Sequence, residues 1–212
     1  MTTNADELVQ SIVELNEQDA LRIVRERLDS GDDLKKIIEL CREAMVVIGE
    51  RFEKNEYFLS DLIVASTIFS EIMEIALPRM LERRETEYSI GKMVIGTVEG
   101  DVHNIGKDIV VSMLRANGFE VHDLGVDVPA VRFVSKIKET NAKIVGMSAL
   151  ITVGWESMKR TIKAIEEAGL RDKVKIVVGG GIMNEEAARY VGADAYATLN
   201  YGIRLCKNWA SV

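Results

Sequence analysis

Met93-Val94-Ile95-Gly96-Thr97-Val98-Glu99-Gly100-Asp101-Val102-His103-Asn104-Ile105-Gly106 is the stretch that decides the fold. It opens as a short β-rich run at 93–98, passes into a glycine-bounded loop at 100–106, and continues into a run with helical spacing at 107–116. Strand, loop and amphipathic helix in that order form the repeating unit of a parallel α/β sheet. Working outward, the unit recurs. Further β-rich runs at 120–124, 144–147, 174–178 and 193–197 are separated by amphipathic stretches, which predicts a five-stranded parallel sheet.

Toward the N-terminus the period changes. From 6 to about 84 the apolar residues keep helical spacing, as in Leu34, Ile37, Ile38, Cys41, Met45 and Ile48, and in Leu62, Ile63, Phe69, Ile72, Met73 and Ala76. This half is predicted to be a bundle of four or five antiparallel helices. Asp29-Ser30-Gly31-Asp32-Asp33 reads as a helix stop followed by an N-cap, and Pro78 is expected to kink or restart the last helix. The charged run at 82–87 has no apolar face and reads as a linker or a solvated helix end, which divides the chain into a helical domain at 1–88 and an α/β domain at 89–212.

Bulk properties narrow the function. With 212 residues and 47% hydrophobic content the chain can bury a substantial core. Its net charge of −7 argues against a phosphate-binding surface, since nucleic-acid binding depends on clustered Lys and Arg. The first residues lack a signal-peptide pattern, and no apolar run approaches the roughly eighteen residues of a membrane span. A cytoplasmic protein that engages neither nucleic acid nor membrane is expected. The 2 cysteines, Cys41 and Cys206, lie far apart without metal-ligand spacing and are expected to be reduced, packed thiols.

In an open parallel sheet, ligands bind beyond the carboxyl ends of the strands, near the point where strand order reverses. The unusual residues follow strands: 100–106 after the first, Ser148-Ala149-Leu150 after the third, and Gly179-Gly180-Gly181 after the fourth. A neutral imidazole can ligate a metal through one nitrogen while a carboxylate holds the other N–H, and Asp101 stands two residues from His103 to do so. Ser148 could hydrogen-bond Asp101 and extend that network. A single protein ligand holds a bare ion poorly, but suffices as an axial ligand for a metal already chelated by a macrocycle. The triple glycine would let backbone approach a bulky ligand. Taken singly, a D-x-H pair is more commonly a hydrogen-bonded loop and a glycine run more commonly a turn. Joint placement after strands one, three and four favours a site. There is no phosphate-loop motif. His122, inside the second strand run, and Trp155 and Trp209 read as structural residues.

With D-x-H-x-x-G at Asp101, His103 and Gly106, S-x-L at Ser148 and Leu150, and G-G at Gly179 and Gly180, the chain resembles the corrinoid proteins of methanol, methylamine and methoxy-aromatic methyltransferase systems, and the cobalamin-binding module of methionine synthase. The resemblance spans nearly the whole chain. It implies a flavodoxin-like, Rossmann-like fold in the α/β domain, with cobalamin or a related corrinoid bound there. His103 would be the cobalt ligand and Asp101 and Ser148 its proton-linked partners. Asn104, Ile105 and Gly106 would lie against the cofactor, and Leu150, Thr152, Gly179 and Gly180 would line a groove for its nucleotide tail. Val47-Ile48-Gly49-Glu50-Arg51-Phe52 followed by Tyr57-Phe58-Leu59 is similar to the family's cap, in which Phe52 and Leu59 would shield a methyl group. Two segments depart from the family pattern: Ile151-Thr152-Val153-Gly154-Trp155, and Ala197-Thr198-Leu199-Asn200, where related carriers often have Ala-Pro-Asp.

The function implied is a methyl carrier of one-carbon metabolism. A substrate-specific methyltransferase would load the cobalt, giving methylcobalamin as intermediate. A second methyltransferase would unload it to tetrahydrofolate or a thiol coenzyme, and a reductive activase would be a further partner. The chain alone would complete no turnover. Two alternatives share the motif: the cobalamin-binding subunit of a radical mutase, which would lack the helical cap, and a cobalamin-sensing regulator, which would need a DNA-reading domain.

Overall fold

A computed structural model describes residues 6–83 and 89–211. The predicted linker at 82–87 lies, from residue 84 on, outside the described residues, as does the start of the chain at 1–5. The chain divides into two compact units, Met1–Tyr88 and Ser89–Val212.

The first unit contains α1 (Glu7–Val13), α2 (Glu17–Ser30), α3 (Leu34–Glu53) and α4 (Leu59–Arg83). Each helix presents an apolar stripe to the others, and Leu8, Ile12, Leu34, Ile37, Met45, Ile48, Leu62, Ile68 and Ile72 are fully buried. The predicted stop-and-start between α2 and α3 is present: Gly31 ends α2 in the left-handed region, and the Asp33 side chain accepts the Lys35 N–H to begin α3. Pro78 does not restart the last helix, because α4 is a single assigned helix across it. One missing backbone donor is tolerated within a long run of good helix formers such as Ala76, Leu77, Met80 and Leu81.

The second unit contains β1 (Gly91–Thr97), α5 (Ile105–Ala116), β2 (Phe119–Asp123), α6 (Ala130–Thr140), β3 (Ile144–Ser148), α7 (Val153–Glu167), a 3₁₀ turn, β4 (Lys175–Gly179), α8 (Glu185–Val191), β5 (Ala195–Tyr196) and α9 (Leu199–Ala210). The strands form one 5-stranded sheet in the order β2-β1-β3-β4-β5, with all pairings parallel. This is the flavodoxin-like order, and its reversal falls between β1 and β3. The register pairs Thr97 with Ser148 and Ser148 with Gly179, so the ends of β1, β3 and β4 lie level. One face of the sheet packs a dry core built around Val94, Val145, Ile176, Val178 and Phe133. His122 and Trp155 are half-buried, and Trp155 packs against this core, in line with structural roles. No described helix is long and apolar enough to cross a membrane.

Candidate functional site

Beyond Thr97 the chain turns into the loop that carries Asp101 and His103. Asp101 is only 1% exposed, and a buried carboxylate requires donors. Its Oδ1 accepts the His103 backbone N–H at 2.9 Å and lies 2.8 Å from His103 Nδ1. Its Oδ2 accepts the backbone N–H groups of Leu150 at 2.6 Å and Ile151 at 3.2 Å. Burial pushes the carboxyl pKa up, but these donors outweigh it and hold Asp101 below the usual carboxylate range. An ionised carboxylate can only accept. Nδ1–H of His103 is therefore the donor to Asp101, and in a neutral imidazole the lone pair lies on Nε2. The His103 side chain is 50% exposed, and no hydrogen bond among the described residues engages Nε2. The Thr97 hydroxyl donates to the His103 carbonyl at 3.2 Å, which ties the loop to the end of β1.

The Ser148 hydroxyl is not a partner of Asp101, contrary to the sequence expectation. Its Oδ2 instead accepts the consecutive main-chain N–H groups of Leu150 and Ile151, and Ser148 lines a cavity. That cavity, of about 270 Å³, opens on the sheet face opposite the dry core. Its walls include Met93 and Ile95 of β1, Gly146 and Ser148 of β3, Val177 and Gly179 of β4, Gly106, Lys107 and Val110 of α5, and Leu199 and Cys206 of α9.

Two glycines on this cavity have opposite reasons to be glycine. At Gly180, φ is +120° and a Cβ would lie 1.9 Å from the Ala149 carbonyl oxygen, so the fold itself demands the residue. At Gly106 the backbone is in an ordinary region and a Cβ would meet nothing within 4 Å. Neither strain nor packing within the protein calls for glycine there.

Of the remaining expected residues, Asn104 bonds Asp108 at 2.7 Å, and Ile105 is exposed at the start of α5. Leu150 and Thr152 are not among the cavity's lining residues; Leu150 serves Asp101 through its N–H, and Thr152 precedes α7 at the surface. Around His103 the rim is apolar, with Val102, Ile105, Leu150, Ile151 and Val153 all at least 40% exposed. In the helical unit, Phe52 is half-buried, whereas Phe58 and Leu59 at the α3–α4 turn are 68% and 50% exposed.

Sequence reasoning missed Lys107. Its side chain is 1% exposed and its Nζ lies 2.5 Å from Asp108 and 2.6 Å from Asp123. A lysine on the buried stripe of an amphipathic helix was the available signal. Among the described residues no group of three or more His, Cys, Asp or Glu is arranged to hold a metal ion.

Comparison with known proteins identifies the family. Residues 91–201 match the family described as B12 binding domain, and residues 5–77 match a second family of the same description. The chain is 41% identical over 187 residues to trimethylamine corrinoid protein 1 of Methanosarcina acetivorans, spanning 88% of this chain and 87% of that protein. A cobalamin-binding protein from Desulfitobacterium hafniense is similar in structure, with a TM-score of 0.74 at 36% identity over 95% of this chain and 96% of that one. The methanol:cobalamin methyltransferase complex of Methanosarcina barkeri contains a chain that superposes with a TM-score of 0.84 at 25% identity, covering 96% of this chain and 78% of that one.

Proposed function

The chain belongs to the two-domain B12-binding corrinoid proteins, and from that premise we propose that it is a methyl carrier whose His103 is the axial ligand of the corrinoid cobalt. Binding of cobalamin or a related corrinoid follows from the family. The observation that carries the finer reading is the arrangement at His103: Nδ1 is held by the buried Asp101 carboxylate while Nε2 is unengaged and accessible.

The residues present fit the cofactor. A single imidazole suits a metal whose other positions a macrocycle fills. The apolar rim suits the face of such a ring, and the cavity, with open space at Gly106 and close backbone approach at Gly180, suits a tail inserted between the sheet and α5. When bound, the corrinoid supplies a cobalt that can accept a methyl group from one partner and yield it to another. The chain's own residues set the ligand. Asp101 fixes the His103 tautomer and raises the basicity of Nε2. The Leu150 and Ile151 N–H groups keep Asp101 ionised, so its carboxylate stays an acceptor for the His103 Nδ1–H. Ser148, Gly179 and Gly180 would bound the tail. In the helical unit, Phe52, half-buried, and Leu59, 50% exposed, would shield the methyl group.

The donor-side partner is a methyltransferase, as in the methanol:cobalamin complex, and the similarity to methylamine corrinoid proteins favours a methylated amine as donor. A second methyltransferase takes the group to its acceptor. Relatives that match across both units favour a carrier over a mutase subunit or a sensor. The test is to load the chain with cobalamin, reduce it, and supply isotopically labelled mono-, di- or trimethylamine or methanol with the matching purified methyltransferase. Label retained on the chain-bound corrinoid with a methylamine and its enzyme is expected. No retention with any donor and enzyme pair would overturn the carrier reading.

A further inference from the structure

Asp127 is an exposed residue in the loop between β2 and α6, absent from every motif above, and its backbone is unusual. Its φ is +52°, a region that non-glycine residues seldom adopt and that Asp and Asn tolerate best. Both of its hydrogen-bonding ends reach into the loop that carries His103. The side-chain Oδ1 accepts the Gly100 N–H at 2.8 Å, and its own N–H donates to the Asp101 carbonyl at 2.9 Å. Neighbouring bonds continue the same seam: Val128 pairs with Val98 in a parallel bridge, the Val128 N–H donates to the Thr97 carbonyl at 3.0 Å, and the Thr97 N–H donates to Gly125 at 2.9 Å.

The loop at 100–103 is thus held from two sides. Leu150 and Ile151 grip the Asp101 side chain from beyond β3, whereas Asp127 grips the main chain at the Gly100 N–H and the Asp101 carbonyl. A left-handed, non-glycine residue that spends both its acceptor and its donor on one neighbouring loop is placed to set that loop's position. Only a seated loop makes both bonds, so they favour one loop position over others by their own free energy.

We propose that Asp127 is a positioning residue for the cobalt ligand, holding the 100–103 loop in the seat from which His103 coordinates. The proposal rests on His103 being that ligand, and the test separates the two. Full-length wild type, Asp127→Ala, Asp127→Gly, Asp127→Asn and His103→Gly would be loaded with cobalamin and reduced to Co(II). Two quantities are read: the ratio of nitrogen-ligated to unligated cobalt, by electron paramagnetic resonance, and the Kd for cobalamin.

For Asp127→Gly, which keeps the left-handed backbone but removes the acceptor, loss of one hydrogen bond predicts a ratio lowered, or a Kd raised, about 3- to 10-fold. Asp127→Ala is expected to lose at least as much, and Asp127→Asn, which retains an Oδ1 acceptor and tolerates the backbone, to stay within about 2-fold of wild type. Should Asp127→Ala fail to fold, Asp127→Gly carries the test. Wild-type values for Asp127→Gly would overturn the positioning role while His103→Gly still loses the nitrogen ligand. If wild type grown on ¹⁵N-histidine keeps the three-line ¹⁴N splitting, the axial-ligand reading itself fails instead.

Discussion

Replacing Gly106 with alanine should move stability and corrinoid binding in opposite directions. Gly106 is the second residue of α5, its backbone is in a region open to any residue, and a Cβ there meets nothing within 4 Å. On the free protein the change only narrows the unfolded ensemble, which stabilises by about 0.4–1 kcal/mol and raises the melting temperature of the unit by roughly 1–4 °C. Yet Gly106 borders the cavity of about 270 Å³ assigned to the cofactor. A methyl group pushed into a filled site costs about 1–3 kcal/mol, or roughly 5- to 150-fold in Kd. Differential scanning fluorimetry of apo Gly106→Ala and cobalamin titration monitored by absorbance measure the two sides. An apo protein less stable than wild type, or an unchanged Kd, would refute the reasoning that this glycine serves a ligand.

Three further outcomes follow from the packing. Burial pushes the thiols of Cys41 and Cys206 up to about 12, so an Ellman titration at pH 8 should find neither reactive in the native protein and 2 after denaturation; fast native reaction of either would contradict their burial. Phe133→Ala empties a fully buried position beneath β1 and should cost about 3–5 kcal/mol in chemical denaturation of the α/β unit, with a loss under 1 kcal/mol counting against the described core. Asp6 caps α1 and pairs with Arg27 at 2.7 Å; burial raises its carboxyl, but Arg27 and the Leu8 N–H outweigh it and leave the pKa lowered. Its contribution is therefore present above about pH 4, its unfolded value, and is lost as pH falls through the folded pKa. Asp6→Ala should destabilise the helical unit by about 1–3 kcal/mol at pH 7, with the gap closing toward pH 2; a gap independent of pH would contradict the ion pair.

Much of this was legible in the sequence because period and punctuation are local. The alternation of short β-rich runs with helical spacing predicts the sheet, and each strand lies within about two residues of its run. The last strand is shorter than expected, with only Ala195 and Tyr196 pairing. Just before it, Asp194 donates its backbone N–H to the Ile176 carbonyl and accepts the Ile176 N–H with its side chain, which also meets Arg171. What the sequence hid is non-local or main-chain. Besides His103, the donors to Asp101 are backbone N–H groups of Leu150 and Ile151, which no residue type announces, whereas Ser148 was the visible side chain. Lys107 is paid for by Asp123 across the fold, and Asp127 works through a backbone angle. Nor could alternation say which sheet face is hollow, since both faces of a parallel sheet are apolar.

The most direct test of His103 as the cobalt ligand uses nitrogen isotopes. The chain contains 2 histidines, His103 and His122, and a His122→Gln variant grown on ¹⁵N-histidine carries label in the imidazole at His103 alone. Loaded with unlabelled cobalamin and reduced to Co(II), it should show its axial superhyperfine splitting change from the three lines of ¹⁴N to the two of ¹⁵N. Three lines in the labelled protein would mean that the cofactor's own base, not His103, holds the cobalt.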